Sequence, residues 1–246
     1  MTEAGRSGSR NWWAIVAGGM TGAILLLLGL VGFLGYFGGP IYRVAPPLAP
    51  TPAAQRGTAI VFLSGDMGIN AGMGPRLIDR LRRQGLPVLA VNSLTAFGTR
   101  RSPAQIEAIV AEAIVRALAM PGAHRVVMIG QSFGADMLQF SATGLPPALR
   151  SRIGRIVLLV PGNTLLFQAS PGGVLDGAPD ASALPSARRI DWVPLTCIHG
   201  VEETHSLCPA LHGDNVTNVP LPGGHFLNYD IPLITQALDR AIDNGR

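Results

Sequence analysis

Three segments of this 246-residue chain carry side chains suited to acyl transfer. The first is Gly130-Gln131-Ser132-Phe133-Gly134, a G-x-S-x-G pattern. A serine between two glycines fits a tight turn from strand to helix, which lifts its hydroxyl above a sheet. The helix that follows aims its N-terminus at the same point and favours developing negative charge. Ser132 is therefore the expected nucleophile, and the N–H of Phe133 an expected oxyanion donor. A second donor is expected from Ser64-Gly65-Asp66-Met67-Gly68, at the N–H of Asp66. The base should be a histidine late in the chain, and His225 lies in Pro222-Gly223-Gly224-His225-Phe226. His124, His199, His205 and His212 fall before a strand, at a strand end or in loops. The acid should lie between nucleophile and base. Gly200-Val201-Glu202-Glu203 supplies it, with Glu203 preferred to Glu202, and with Asp191 and Asp214 as weaker choices.

Such groups, scattered over the chain, need a scaffold that gathers them. Apolar runs at Ala59–Ser64, Val88–Asn92, Arg125–Gly130, Arg155–Val160, Leu195–His199 and Val216–Leu221 read as strands. Between them, Met73–Gln84, Pro103–Met120, Ala135–Thr143 and Ile231–Asp243 carry helical spacing. Ser102 followed by Pro103 marks a helix start, and Gly85 a helix stop. Continuous apolar strands alternating with helices predict a mostly parallel sheet covered on both faces, in an α/β architecture. The serine then stands directly after a strand and before a helix. Residues 161–192 break the rhythm with Pro171, Gly172-Gly173, Pro179 and Pro185. They are read as a lid or substrate-shaping insertion, or as a surface loop.

Ahead of this domain, Trp12 to Phe37 contains no charged residue and is long enough to cross a bilayer. Trp12, Trp13, Tyr36 and Phe37 sit at its ends, as interfacial rings do. Its length favours an uncleaved signal anchor over a cleaved leader. Arg6 and Arg10 place residues 1–11 in the cytoplasm, and the rest of the chain outside. Residues 38–57, with Pro46, Pro47, Pro50 and Pro52, read as an extended linker that lifts the catalytic domain, 58–246, off the bilayer.

The net charge of +4 comes mostly from scattered arginines without interleaved aromatics, which speaks against a nucleic-acid partner. Nothing has metal-ligand spacing, and the chemistry needs no cofactor. Cys197 and Cys208 bracket the acid segment. In an oxidising compartment they would close a loop around Glu203; in a reducing one they would remain thiols.

Together, Gly130-Gln131-Ser132-Phe133-Gly134-Ala135-Asp136, Ser64-Gly65-Asp66, the Cys197–Cys208 segment and Gly223-Gly224-His225-Phe226 resemble the bacterial AcvB/VirJ virulence-protein family, from about Thr58 onward. The resemblance implies an α/β-hydrolase fold, and a periplasmic domain at the bacterial inner membrane. It also implies hydrolysis of the aminoacyl ester of lysyl-phosphatidylglycerol, with Ser132, Glu203 and His225 on the triad positions. A membrane phospholipid would be the substrate, and envelope or secretion-system proteins would be candidate partners. By position, Asp66, Asp136 or Glu202 are expected to bind the lysyl amines. A general esterase or lipase, or a hydrolase-like binding module, are the competing expectations.

Overall fold

The computed structural model describes residues 7–243. Of the segment expected in the cytoplasm, residues 1–6 lie outside the described residues.

Helix α1 spans Ser7–Leu34 and is followed by strand β1, Tyr42–Ala45. Then come β2 (Thr58–Leu63), α2 (Gly74–Arg83), β3 (Val88–Val91), α3 (Ser93–Phe97) and α4 (Pro103–Leu118). Strand β4 (Arg125–Gln131) leads into α5 (Phe133–Ser141), then α6 (Pro147–Arg150) and β5 (Ile153–Leu159). The insertion holds a small hairpin, β6 (Thr164–Leu165) and β7 (Ala181–Ser182), and α7 (Leu184–Ala187). Strands β8 (Leu195–Gly200) and β9 (Val216–Leu221) and helix α8 (Ile231–Asp243) complete the fold.

Seven strands form one sheet in the order β1-β3-β2-β4-β5-β8-β9. All pairings are parallel except β1 with β3. Side chains alternate between the two faces, so each buried strand feeds two cores. One core joins Val61, Leu63, Val126 and Met128 to α4 and α5; the other joins Ile60, Phe62, Val127 and Ile129 to α2 and α8. The helix starts follow local chemistry. At α4 the Ser102 hydroxyl accepts from the Gln105 N–H, and the Gln105 side chain accepts from the Ser102 N–H, with Pro103 in the first turn.

The expected linker is corrected by the structure. Part of residues 38–57 is the edge strand β1, registered from Tyr42 opposite Val91 to Ala45 opposite Val88. Tyr42 holds it there: its hydroxyl donates to the Ile109 carbonyl (2.9 Å), and the Arg116 guanidinium stacks on its ring. Proline content hid this, because a short edge strand needs only alternate hydrogen bonds and carries no proline of its own. Nor does the segment hold the domain away from α1. Most of α1 is exposed, but Leu34 in its last turn is only 1% exposed and belongs to the same core as Leu94, Phe97 and Ile106.

Leu34→Ala should therefore destabilise the α/β domain itself, by about 2–4 kcal/mol. Chemical unfolding of the full chain in detergent, followed by tryptophan fluorescence, measures this against the wild type.

Candidate active site

Ser132 stands between the last residue of β4 and the first of α5, with φ 51° and ψ −125°. A non-glycine residue rarely adopts that conformation, and surrounding packing must hold it. The two flanking glycines make the packing feasible. A Cβ on Gly130 would lie 2.6 Å from Cα of Ala135, and one on Gly134 would collide with the carbonyls of Leu63 and Ser64. The Ser132 N–H donates to the Leu159 carbonyl (2.8 Å), and its own carbonyl accepts from the N–H groups of Ala135 and Asp136.

The loops after β8 and β9 bring the other two groups. The Glu202 N–H donates to the Gly223 carbonyl and the Val201 N–H to Leu221 (3.1 and 2.9 Å). Gly200 allows this contact, since any Cβ there would strike the Gly223 and Gly224 carbonyls. After His225 the chain reverses through Leu227, Asn228 and Tyr229, all with positive φ. The Ser132 Oγ lies 2.8 Å from His225 Nε2, and His225 Nδ1 lies 2.5 Å from Glu203 Oε1. A carboxylate accepts only, so Nδ1 carries the proton and donates to Glu203. Nε2 is then left to accept from the serine hydroxyl. The His225 side chain is 38% exposed and that of Glu203 only 7%. The pair thus has a water-facing reactive end and a sheltered acid.

A disulfide joins Cys197 in β8 to Cys208, with Cα atoms 5.5 Å apart, closing the loop that carries Glu203. The same loop is tied to the insertion by bonds from Asn163 N–H to the His205 carbonyl and from Leu207 N–H to the Pro161 carbonyl. The insertion is an ordered wall: the Ala169 N–H donates to the Phe97 carbonyl, and Arg100 pairs with Asp180.

A cleft of about 460 Å³ opens over Ser132 and His225. Asp66, Met67, Met73, Gln131, Gly172 and Tyr229 are among its walls. Sequence reasoning missed Met67, Gln131 and Tyr229 as lining residues, because only the folded loops show which side chains face inward. Phe133, the expected oxyanion donor, is the first residue of α5, directly after Ser132. Asp66, expected to bind substrate amines, lines the cleft. Burial raises its pKa, and Asp176 raises it further, while His225 and the N–H groups of Asp66 and Met67 pull it back. Its own carboxylate thus competes for the Asp66 N–H expected in the oxyanion hole.

Asp136 and Glu202, also expected to bind substrate amines, do not line this cleft. Asp136 lies within the first turn of α5, where its carboxylate accepts from the Gly162 N–H at 2.8 Å. Burial pushes its pKa well above the usual carboxylate value, and Glu203 and Asp66 add to this while the Gly162 bond opposes it. Glu202 faces solvent, as its neighbour Glu203 turns inward. A second cleft, of about 380 Å³ and lined by Arg155, Thr196 and Arg240, lies at the other edge of the sheet, away from these groups. Among the described residues no group of three or more His, Cys, Asp or Glu is placed to hold a metal.

A parallel sheet with a strained serine after β4 and a hydrogen-bonded Ser–His–Glu series at its carboxyl edge defines a protein of the α/β-hydrolase fold. The sequence model described as bacterial virulence protein (VirJ) matches residues 57–245, and the chain belongs to that family. Similar solved structures include Est1E from Butyrivibrio proteoclasticus with ferulic acid bound, which is 16% identical with a TM-score of 0.58, covering 82% of this chain and 93% of that one. XC6422 from Xanthomonas campestris, described as an α/β serine hydrolase without a lid, is 17% identical with a TM-score of 0.52, covering 84% and 91%. An α/β serine hydrolase homologue from Coxiella burnetii is 13% identical with a TM-score of 0.55, covering 81% and 89%. At such identities the likeness is one of fold. Comparison with curated proteins found no match.

Two outcomes follow. Replacing Cys197 and Cys208 together by serine should lower stability by about 2–4 kcal/mol, read from the denaturation midpoint. Asp136→Asn should change stability in a pH-dependent way. Because the folded pKa is raised, the wild type loses stability as pH rises from the unfolded value of 3.8. The asparagine variant, which keeps an acceptor for Gly162, should therefore gain on the wild type between pH of about 4 and neutrality in paired melting curves.

Proposed function

We propose that this chain is a membrane-anchored serine ester hydrolase that cleaves the aminoacyl ester of lysyl-phosphatidylglycerol on the periplasmic side of a bacterial inner membrane. The observation that carries the hydrolase reading is the Ser132–His225–Glu203 series, with contacts of 2.8 and 2.5 Å. Ser132 Oγ attacks the lysyl carbonyl carbon while His225 Nε2 takes its proton, and Glu203 stabilises the imidazolium. The Phe133 N–H, with that of Asp66, receives the developing oxyanion. Collapse breaks the bond to the lipid glycerol oxygen, which leaves with the proton from His225. A water then attacks the lysyl-serine ester, again deprotonated by His225, and free lysine departs.

Family membership supports the substrate. So does Asp66, a carboxylate in the cleft wall that suits the lysyl amines. Helix α1, apolar from Trp12 to Leu34 and exposed over most of that length, supports the anchor, and an enzyme tethered beside its lipid works at high effective concentration. The disulfide supports an oxidising compartment.

Purified full-length chain in detergent should react with a fluorophosphonate probe and release lysine from lysyl-phosphatidylglycerol vesicles. Ser132→Ala should abolish the labelling, and Glu203→Gln should lower kcat on the order of 10³–10⁴-fold. A labelled wild type that leaves lysyl-phosphatidylglycerol intact would retain the hydrolase and remove the lipid. Because protonation of Asp66 removes its charge, KM for the lysyl substrate should rise as pH falls, and KM for a neutral ester should not.

A further inference from the structure

The last turn of α1 is fastened to loops at one edge of the sheet. Asn70, in the loop after β2, donates to the Phe33 carbonyl at 2.7 Å. Asn92, directly after β3, donates to the Leu34 carbonyl at 3.3 Å, and the Thr95 hydroxyl donates to the Gly35 carbonyl at 2.9 Å. Gly68 sits so close that a Cβ there would lie 2.7 Å from the Leu34 carbonyl. All four residues stand at the carboxyl ends of β2 and β3. The direction of β1 agrees, for it enters the sheet at the Val91 end of β3 and runs antiparallel to it. With Leu34 buried in the domain, little slack remains for the domain to swing about the helix.

Ser132, Glu203 and His225 follow β4, β8 and β9, and strands that run parallel share one carboxyl edge. The loop that holds α1 is also a wall of the cleft, through Gly68, Ala71 and Gly72. A bilayer that receives α1 therefore meets the domain at the edge where the cleft opens. The exposed apolar side chains are distributed accordingly. From β1 onward, the large ones among the described residues are Val44, Leu48, Val115, Val174, Leu175, Val201, Phe226 and Tyr229, and five of these eight follow β5, β8 or β9. Val174 is 82% exposed and Leu175 70%, in the insertion next to Gly172 of the cleft wall. The rings of Phe226 and Tyr229 stack at 5.5 Å beside His225.

We propose that the carboxyl edge of the sheet is a membrane-docking face. Its partner is the surface of the bilayer that holds α1, and Val174, Leu175, Phe226 and Tyr229 enter the boundary between headgroups and acyl chains. Exposed apolar side chains gain free energy at that depth, and the attached helix has already removed the entropic cost of bringing the face there. The cleft then receives an ester at headgroup level while the lipid's chains stay in the bilayer. The proposal rests on α1 being a retained anchor and not on the identity of the ester.

The test uses full-length chain in vesicles of phosphatidylethanolamine and phosphatidylglycerol. A nitrobenzoxadiazole label is placed at Leu175→Cys, or at Asp214→Cys on the opposite edge as a control. Nitroxides near the headgroups should quench the Leu175 probe about threefold more than the Asp214 probe, with a blue-shifted emission only at Leu175. Equal, water-like emission at both sites in chain that floats with the vesicles would overturn the docking face. Chain that fails to float would overturn the anchor and this proposal with it. Hydrolysis of p-nitrophenyl butyrate in detergent reports the hydrolase reading separately. Val174→Asp with Leu175→Asp should leave that hydrolysis within about twofold while lowering turnover of vesicle-borne ester about tenfold. Equal turnover of vesicle-borne ester would also count against the proposal.

Discussion

The whole site depends on a backbone contact that admits no side chain. Gly134 rests against the carbonyls of Leu63 and Ser64, and Gly130 against Ala135, so α5 can start directly over the neighbouring strand. Only then does the turn close tightly enough to force Ser132 into its left-handed conformation and raise the hydroxyl. The strain is local, of the order of 1–3 kcal/mol for such a residue, and two cores of buried side chains enforce it. A second glycine contact, Gly200 against Gly223 and Gly224, does the same for acid and base by pressing their two loops together. The site is thus built from close approaches of main chain, and the functional side chains inherit their positions from them.

Much of this was legible in the residues. The strand-turn-helix setting of Ser132, the order of acid and base, and the alternation of apolar runs with helices all follow from local patterns. Those patterns survive folding because the inner strands, β2, β3, β4, β5 and β8, are buried on both faces. Less local features were not legible. Strand β1 lies in a proline-rich stretch, and its place is decided by Tyr42 reaching Ile109, a contact between distant residues. Asp136 looks like a ligand by position, yet the start of α5 turns it toward Gly162. Glu202 and Glu203 are adjacent and chemically alike. Which one turns inward is settled by the bond from the Glu202 N–H to Gly223, a fact about the loop pair and not about either residue.

Charge in the site is arranged by depth. Glu203 is sheltered beside His225, while Asp66 lies in the cleft wall with Asp176 near enough to raise its pKa. A carboxylate held this way ionises more readily once a cation is beside it. The insertion contributes to this arrangement through Asp176 and Gly172, and its backbone bonds to Phe97 and His205 hold it as a fixed wall.

Because Leu34 ends the apolar helix and also fills the domain's interior, the boundary between the two parts is not a seam where they can be separated. A chain severed behind it would fold around a hollow, with the amides of Asn70 and Asn92 stripped of their acceptors. Seating of the helix's last turn and completion of the globule are in this sense one event, and neither half is finished without the other.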